Sequence, residues 1–192
     1  YTTLYLDANG QVGFAPFGTP TFTGTLTIPS AAYPNSRIDI FHTDLDLGML
    51  ARTGGGIVYY YHDVANARFI VEYKDAQRYG NLGPAGTFQV MLYERGDILV
   101  QYQAVHVTPT YPGGIENHDG SAGLAYAGTI TAGLAVGYYR PAINVEVGPN
   151  VLNPFGGTAT VTATVRGRYW SPLFAPDGTA VTFNAGSLGT FF

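Results

Sequence analysis

The sequence has no cysteine and only one lysine, Lys74, and these shortages exclude several classes of protein. Without cysteine there is no disulfide framework and no cysteine–zinc site. Charged residues make up 11% of the chain, against a usual share of about 25%. The net charge is −4 and the nine basic residues are scattered, which argues against nucleic acid as a partner. No apolar run approaches the ~20 residues of a membrane span, so we expect no membrane-spanning segment.

The residues that are abundant are those of β-structure and turns. Of 192 residues, 26 are glycine and 15 are tyrosine, and hydrophobic residues make up 46%. Such a chain is long enough to bury roughly two-thirds of its unfolded surface in one or two domains. Short strand-like runs separated by turn residues recur along the whole chain, and no segment has a convincing helical period. This pattern predicts an all-β protein of antiparallel sandwich or jelly-roll type.

The segment 87–105 specifies its own hairpin and register. Suppose that the loop is Glu94-Arg95-Gly96, with Gly96 in the left-handed region. Three apolar residues of one strand then face three apolar residues of the next. The pairs are Phe88 with Tyr102, Val90 with Val100, and Leu92 with Ile98. A two-residue loop would place Phe88 and Val90 opposite glutamines, and a slip of one residue exchanges the two faces. The longer loop is therefore predicted. One apolar face and one mixed face are typical of a sheet covered on one side.

A change of pattern at Arg140-Pro141 predicts a domain boundary. Before it, Asn9-Gly10 and Asp119-Gly120 are turn signals between strand-like runs. After it, residues 143–147 and 158–165 alternate between apolar and polar. We therefore predict an antiparallel β-sandwich over residues 1–141, followed by a partial immunoglobulin-like sandwich over residues 142–192.

Residues 1 to about 127 resemble an extracellular bacterial β-sandwich module, distantly like the nidogen-type extracellular domain. Such modules are appended to secreted subtilisin-like proteases and large surface proteins. The segments that carry the resemblance occur in the same order as in those modules: 4–10, 44–46, 56–60, 68–73, 87–102 and 114–120. The resemblance implies a secreted or cell-surface location.

Residues 143–192 resemble the first half of an invasin-type bacterial Ig-like domain. The characteristic run is Asp177-Gly178-Thr179-Ala180-Val181-Thr182-Phe183, followed by Leu188-Gly189-Thr190-Phe191. This resemblance implies a surface-exposed adhesive or structural protein and implies no catalytic residues.

Two aspartates are candidates for a calcium site. Asp44 and Asp46 lie on one side of an extended segment, with Asp39 and His42 nearby in the sequence. Ca²⁺ requires several carboxylate and carbonyl oxygens. The alternative is a turn in which the aspartates bond to their own backbone. No other cofactor is expected.

Aromatic residues provide a candidate sugar-binding surface. Aromatic rings stack on the apolar faces of sugars, so we predict that such a surface includes Tyr60, Tyr139 and Trp170. Tyrosines in a sandwich also form core and cross-strand pairs, which is the alternative. In the segment Arg95-Gly96-Asp97, which spells a cell-adhesion tripeptide, the hairpin turn itself accounts for the glycine.

Enzymatic activity is not expected. Glycoside cleavage needs a pair of carboxylates at a defined separation, and Glu72, Glu94 and Glu116 show no partnership in the sequence. We therefore predict a non-enzymatic extracellular structural or adhesive protein. As its form of assembly we hypothesise a fibre in which a strand from the next copy completes the incomplete second sandwich by donor-strand complementation. The expected partners are neighbouring copies of the chain or other surface proteins. The alternative is a carbohydrate-binding module of a larger secreted enzyme or surface protein, with polysaccharide as its partner.

Overall fold

The computed structural model describes residues 2–17, 27–32, 34–47, 56–111 and 113–139, and the backbone of 142–148 and 160–166. In these segments the regular elements are antiparallel strands and two short 3₁₀ helices, Val64–Asn66 and Tyr79–Asn81. None of the described residues forms a helix long and apolar enough to cross a membrane. The strands are Tyr5–Leu6 (β1), Gln11–Gly13 (β2), Arg37–Asp39 (β3), Leu45–Asp46 (β4), Ile57–Asp63 (β5), Arg68–Arg78 (β6), Pro84–Tyr93 (β7), Ile98–Val105 (β8), Gly114–Glu116 (β9), Gly123–Ala125 (β10), Ala135–Tyr138 (β11), Ala142–Gly148 (β12) and Thr160–Arg166 (β13).

Two antiparallel sheets pack face to face, which confirms the all-β sandwich. The small sheet has the strand order β1-β2-β3-β9-β10, and the large sheet has the order β11-β8-β7-β6-β4. Strand β5 also pairs with β6, beside the part of β6 that β4 does not occupy. Side chains from both sheets form one core, centred on Phe41 of the small-sheet side and on Tyr73 and Phe88 of the large sheet.

The register of the β7–β8 hairpin is the one that the sequence predicts. Phe88 lies opposite Tyr102, Val90 opposite Val100, and Leu92 opposite Ile98. The Tyr93 amide donates to the Asp97 carbonyl at 2.9 Å, and Gly96 has a φ of 89°. The loop is therefore Glu94-Arg95-Gly96, and its length keeps the apolar side chains on the inner face.

Two tyrosines of the large sheet join the two layers by hydrogen bonds. The Tyr73 hydroxyl lies 2.8 Å from the Asp7 carbonyl oxygen, and the Tyr102 hydroxyl donates to the Ile40 carbonyl at 2.6 Å. Phe88 stacks on Phe41 with ring centroids 4.8 Å apart. Because a buried phenol needs a hydrogen-bond partner, these contacts also fix the position of the small sheet over the large one.

The remaining described strands form a separate two-stranded sheet. The chain divides into two compact units, Tyr1–Tyr138 and Tyr139–Phe192. In the second unit, β12 pairs with β13, and the pairs alternate between apolar, such as Ile143 with Val165, and polar, such as Asn144 with Thr164. That alternation is typical of a sheet covered on one side. The assignment of domains to 1–141 and 142–192 stays a prediction, and the Ig-like run at 177–191 lies outside the described residues.

Candidate functional site

Strand β5 is an edge strand with an unusual surface. Its seven residues pair with β6 on one side, and no strand among the described residues pairs with its other side. Its three consecutive tyrosines, Tyr59, Tyr60 and Tyr61, are 48%, 75% and 63% exposed. Large exposed aromatic rings on an edge strand are exceptional, because they favour pairing with another chain.

The tyrosines of β5 project from both faces of the large sheet. Tyr60 lies opposite Val71 and stacks on Phe69, with centroids 6.0 Å apart and an interplanar angle of 18°. Val71 is fully buried, so Tyr60 belongs to the inner face, yet the contact with Phe69 leaves Tyr60 largely exposed. Alternate residues point to opposite faces, so Tyr59 and Tyr61 belong to the outer face.

A row of polar side chains crosses the outer face beside Tyr59. The register places Tyr59 opposite Glu72, Glu72 opposite Gln89, and Gln89 opposite Gln101. The Gln89 amide donates to the Gln101 side-chain oxygen at 2.9 Å. Glu72, Gln89 and Gln101 line a shallow cleft of about 430 Å³. The turn before β11 closes this cleft at one end, near Ala135.

The next row of the outer face contains Tyr61, Ile70 and Met91, of which Tyr61 is exposed and Met91 is covered. Met91 is only 3% exposed, because the Arg68 guanidinium contacts its sulfur at 3.3 Å. Arg68 is held there by an ion pair with Asp63 at 2.7 Å. Hydrogen bonds from Arg68 and Asn66 lower the pKa of Asp63. The polar row is therefore accessible, whereas Met91 beside it is not.

Among the residues that the structure describes, the calcium candidates gain no third acidic ligand. Asp44 and Asp46 flank the buried Leu45, as the alternation predicts, and both are half-buried. The Asp44 carbonyl accepts from the Tyr79 amide at 2.9 Å, and its side chain lines a cleft together with that of Arg78. No group of three or more histidine, aspartate or glutamate residues in the described segments is placed to hold a metal ion. The Ca²⁺ site stays a prediction that rests on two carboxylates.

Asp39 lies instead in a buried ionic cluster that the sequence analysis missed. The Arg37 guanidinium is 3.3 Å from a carboxylate oxygen of Asp39 and 3.5 Å from one of Glu116, and all three side chains have no exposed surface. Asp39 also accepts from the Gln11 amide at 2.7 Å, and Glu116 accepts from the Ser30 amide at 2.6 Å. Burial raises the pKa of Asp39 to about 6, against the opposing effect of Arg37. Residues so far apart in sequence give no local signal of this cluster.

The remaining sequence candidates are not brought together among the described residues. Tyr139 is the half-buried first residue of the second unit, and Trp170 lies outside the described residues. The sugar site formed with Tyr60 therefore stays a prediction. In the Arg95-Gly96-Asp97 turn, Arg95 pairs with Asp97 and packs 4.6 Å over the Tyr93 ring, while Asp97 is buried. This geometry is that of a structural turn.

Comparison with known proteins identifies a family that fits this fold. The family model described as NIDO related matches residues 1–183. No curated protein and no solved structure matched the chain. The match supports the nidogen-like resemblance of the first sandwich and does not confirm the invasin-type Ig-like resemblance of the second segment. It indicates an extracellular module. The chain belongs to the NIDO-related family.

Proposed function

We propose that this protein is a non-enzymatic extracellular adhesive or structural module that binds by adding a strand to the β5 edge of its large sheet. The observation that carries the proposal is the exposure of all three tyrosines on a strand of seven residues. Protein sheets normally protect such edges with lysine, proline or a bulge. Strand β5 contains neither lysine nor proline.

The charges on β5 also favour strand addition. Its one acidic residue, Asp63, stands at the end of the strand and is paired with Arg68. The preceding residues, 57–62, carry no Asp, Glu, Lys or Arg. An incoming strand therefore meets main-chain groups and aromatic rings without like-charge repulsion. In strand addition the main-chain hydrogen bonds supply affinity and the side-chain pockets supply specificity.

A second copy of the chain is the proposed donor of the added strand. If one copy donates a strand to β5 of the next, the contact is head-to-tail and propagates as a filament unless it closes into a ring. The sequence suggests donor-strand complementation of the incomplete second sandwich, and the proposal here is the same kind of contact at the edge of the first.

Substitution of Tyr60 by lysine tests the proposal. Tyr60→Lys adds a protecting charge to the edge and leaves the main chain intact, so we expect it to abolish assembly without lowering the melting temperature. The matched control is Tyr79→Lys, since Tyr79 is 61% exposed and lies outside β5. Electron microscopy and sedimentation velocity of the isolated full chain are the measurements. Dispersed monomers of the unsubstituted protein would contradict strand addition, and closed dimers would contradict the filament.

A further inference from the structure

The outer face of the large sheet carries a second surface, which shares only Tyr59 with the edge proposed for strand addition. Its members are Tyr59 on β5, Glu72 on β6, Gln89 on β7 and Gln101 on β8, which lie directly opposite one another in consecutive strands. Neighbouring strands are about 4.8 Å apart, so the row from Tyr59 to Gln101 is about 14 Å long. From its register and chemistry, we infer that this row is a binding site for a neutral polysaccharide.

The side-chain chemistry of the row matches a chain of sugar hydroxyls. Gln89 and Gln101 each carry an amide with both donor and acceptor atoms, and Glu72 adds two acceptor oxygens. A sugar hydroxyl also donates and accepts, so adjacent hydroxyls of a pyranose ring satisfy such groups in pairs. The Gln89–Gln101 hydrogen bond of 2.9 Å orients the two amides before any ligand arrives. Preorganisation of this kind reduces the entropic cost of binding.

Tyr59 supplies the apolar half of the recognition. It is 48% exposed and stands at one end of the polar row. One face of a pyranose ring presents mainly C–H groups, and an exposed aromatic ring offers a flat apolar surface on which that face packs. At the other end of the row, Gly133, Leu134 and Ala135 lie beside β8 and line the cleft. The site is thus an open groove, which fits a chain better than a small molecule enclosed in a pocket.

The charge of the groove selects a neutral ligand. Glu72 is the only charged residue among the described residues that line the cleft. A sulfated or uronic-acid polysaccharide, a phosphate or a nucleic acid requires cations at the contact, and the cleft lining contains none. A protein partner is disfavoured because interface cores are apolar, whereas Glu72, Gln89 and Gln101 line this cleft. Met91, beside the cleft, is covered by Arg68.

Affinity electrophoresis of the full chain in gels that contain single polysaccharides tests the inference. The panel consists of neutral glucans, mannans, galactans and xylans, with heparin and polygalacturonate as acidic comparisons. We expect retardation by at least one neutral polysaccharide and by neither acidic one. Tyr59→Ala and Gln101→Ala should each weaken the binding about tenfold, since each removes one principal contact.

Two matched controls accompany these variants. Tyr79→Ala removes an exposed tyrosine that lies outside both β5 and the cleft, and Gln77→Ala removes a glutamine from β6 outside the cleft. Both controls should bind as the unsubstituted protein does. Equal losses in Tyr59→Ala and Tyr79→Ala would overturn the assignment of Tyr59 to this site. Absence of retardation across the neutral panel, or retardation by the acidic polysaccharides alone, would overturn the inference itself.

A direct readout covers the case in which a variant fails to fold. The side-chain amide resonances of Gln89 and Gln101 in the unsubstituted protein should shift on titration with the retarding polysaccharide, while that of Gln77 stays in place. Unmoved resonances of Gln89 and Gln101 would contradict the site. Because Gln101 lies three strands from the β5 edge, this result is independent of filament assembly. The polysaccharide site and strand addition therefore stand or fall separately.

Discussion

At the scale of single residues, the most consequential side chain is Arg37. Its guanidinium lies between the carboxylates of Asp39 and Glu116, with no exposed surface on any of the three side chains. It also donates to the main-chain oxygens of Pro34 and Thr27 at 2.9 and 3.0 Å. Arg37 therefore joins the small sheet to the segment that covers its outer face. The cluster has two acids and one base, so its balance depends on this one cation.

Replacement of Arg37 by methionine should strongly destabilise the protein. Arg37→Met preserves much of the side-chain volume but leaves two buried carboxylates without their cation, which costs about 3–5 kcal/mol. Urea unfolding followed by circular dichroism measures the loss. The control is Arg95→Met, whose ion pair with Asp97 involves a half-exposed arginine and is worth about 1 kcal/mol or less. Similar losses in the two variants would show that the buried cluster has no special weight.

At the scale of elements, glycine positions define the turns on which the strands depend. Gly10 follows Asn9 in the β1–β2 turn with a φ of 81°, and its carbonyl accepts from the Ile40 amide at 3.0 Å. The Asn9 side chain in the same turn accepts from the Leu45 amide at 3.0 Å. One turn therefore holds the chain that follows β3 and leads into β4 of the other sheet. The sequence predicts the hairpin but not this second role.

Alanine substitutions at two glycines separate the conformational cost from the steric cost. Gly80 has a similar positive φ of 73° but nothing within 4 Å of an added Cβ, so Gly80→Ala should cost about 1–2 kcal/mol. A Cβ at Gly10 would collide with the Phe41 carbonyl, and overpacking adds about 1–3 kcal/mol. Gly10→Ala should therefore lower the free energy of unfolding clearly more than Gly80→Ala does. Equal effects in thermal melts would contradict the close approach of the β1–β2 turn to Phe41.

At the scale of the whole molecule, two buried groups act on stability in opposite directions as the pH changes. Burial raises the pKa of Asp39 from 3.8 to about 6. Between these pH values the folded state holds a proton that the unfolded state has lost. The contribution of Asp39 to stability therefore decreases as the pH rises from about 4 to 6. Burial lowers the pKa of His42 from 6.5 to about 4. The folded state then lacks a proton that the unfolded state binds, so this contribution increases over nearly the same range.

The opposing contributions should become visible when one group is removed at a time. Compared with the unsubstituted protein, Asp39→Asn should lose relative stability as the pH falls from 6 to 4, by up to about 1.4 kcal/mol per pH unit. The ring centroids of His42 and Tyr111 are 4.8 Å apart, and His42→Phe keeps a ring in this contact. Compared with the unsubstituted protein, His42→Phe should gain stability as the pH falls from 6 to 4. Urea unfolding at a series of pH values gives both differences. Two differences of the same sign would refute the assigned pKa directions.

The sequence predicts the fold better than it predicts the surfaces. The β7–β8 register could be predicted because the apolar alternation and the turn glycine lie within one continuous segment. The outward position of the β5 tyrosines could not, since alternation requires Tyr59 and Tyr61 to share a face without saying whether either face is covered. Of the sugar-binding candidates, only Tyr60 lies on this strand, and it belongs to the inner face. Our inference uses Tyr59 of the outer face, and the site formed by Tyr60, Tyr139 and Trp170 stays a prediction.

By itself, then, the sequence determined the all-β class, the hairpins and the nidogen-like resemblance, because each of these depends on local alternation, turn chemistry or ordered motifs. The tertiary structure alone decided what lies side by side across strands. It placed Glu116 in one cluster with Arg37, from which it is 79 residues distant in sequence, and with Asp39, from which it is 77 residues distant. It also aligned Glu72, Gln89 and Gln101 in one row. Such neighbours are set by strand order and register between distant segments, and these depend on which faces of the sheets are buried.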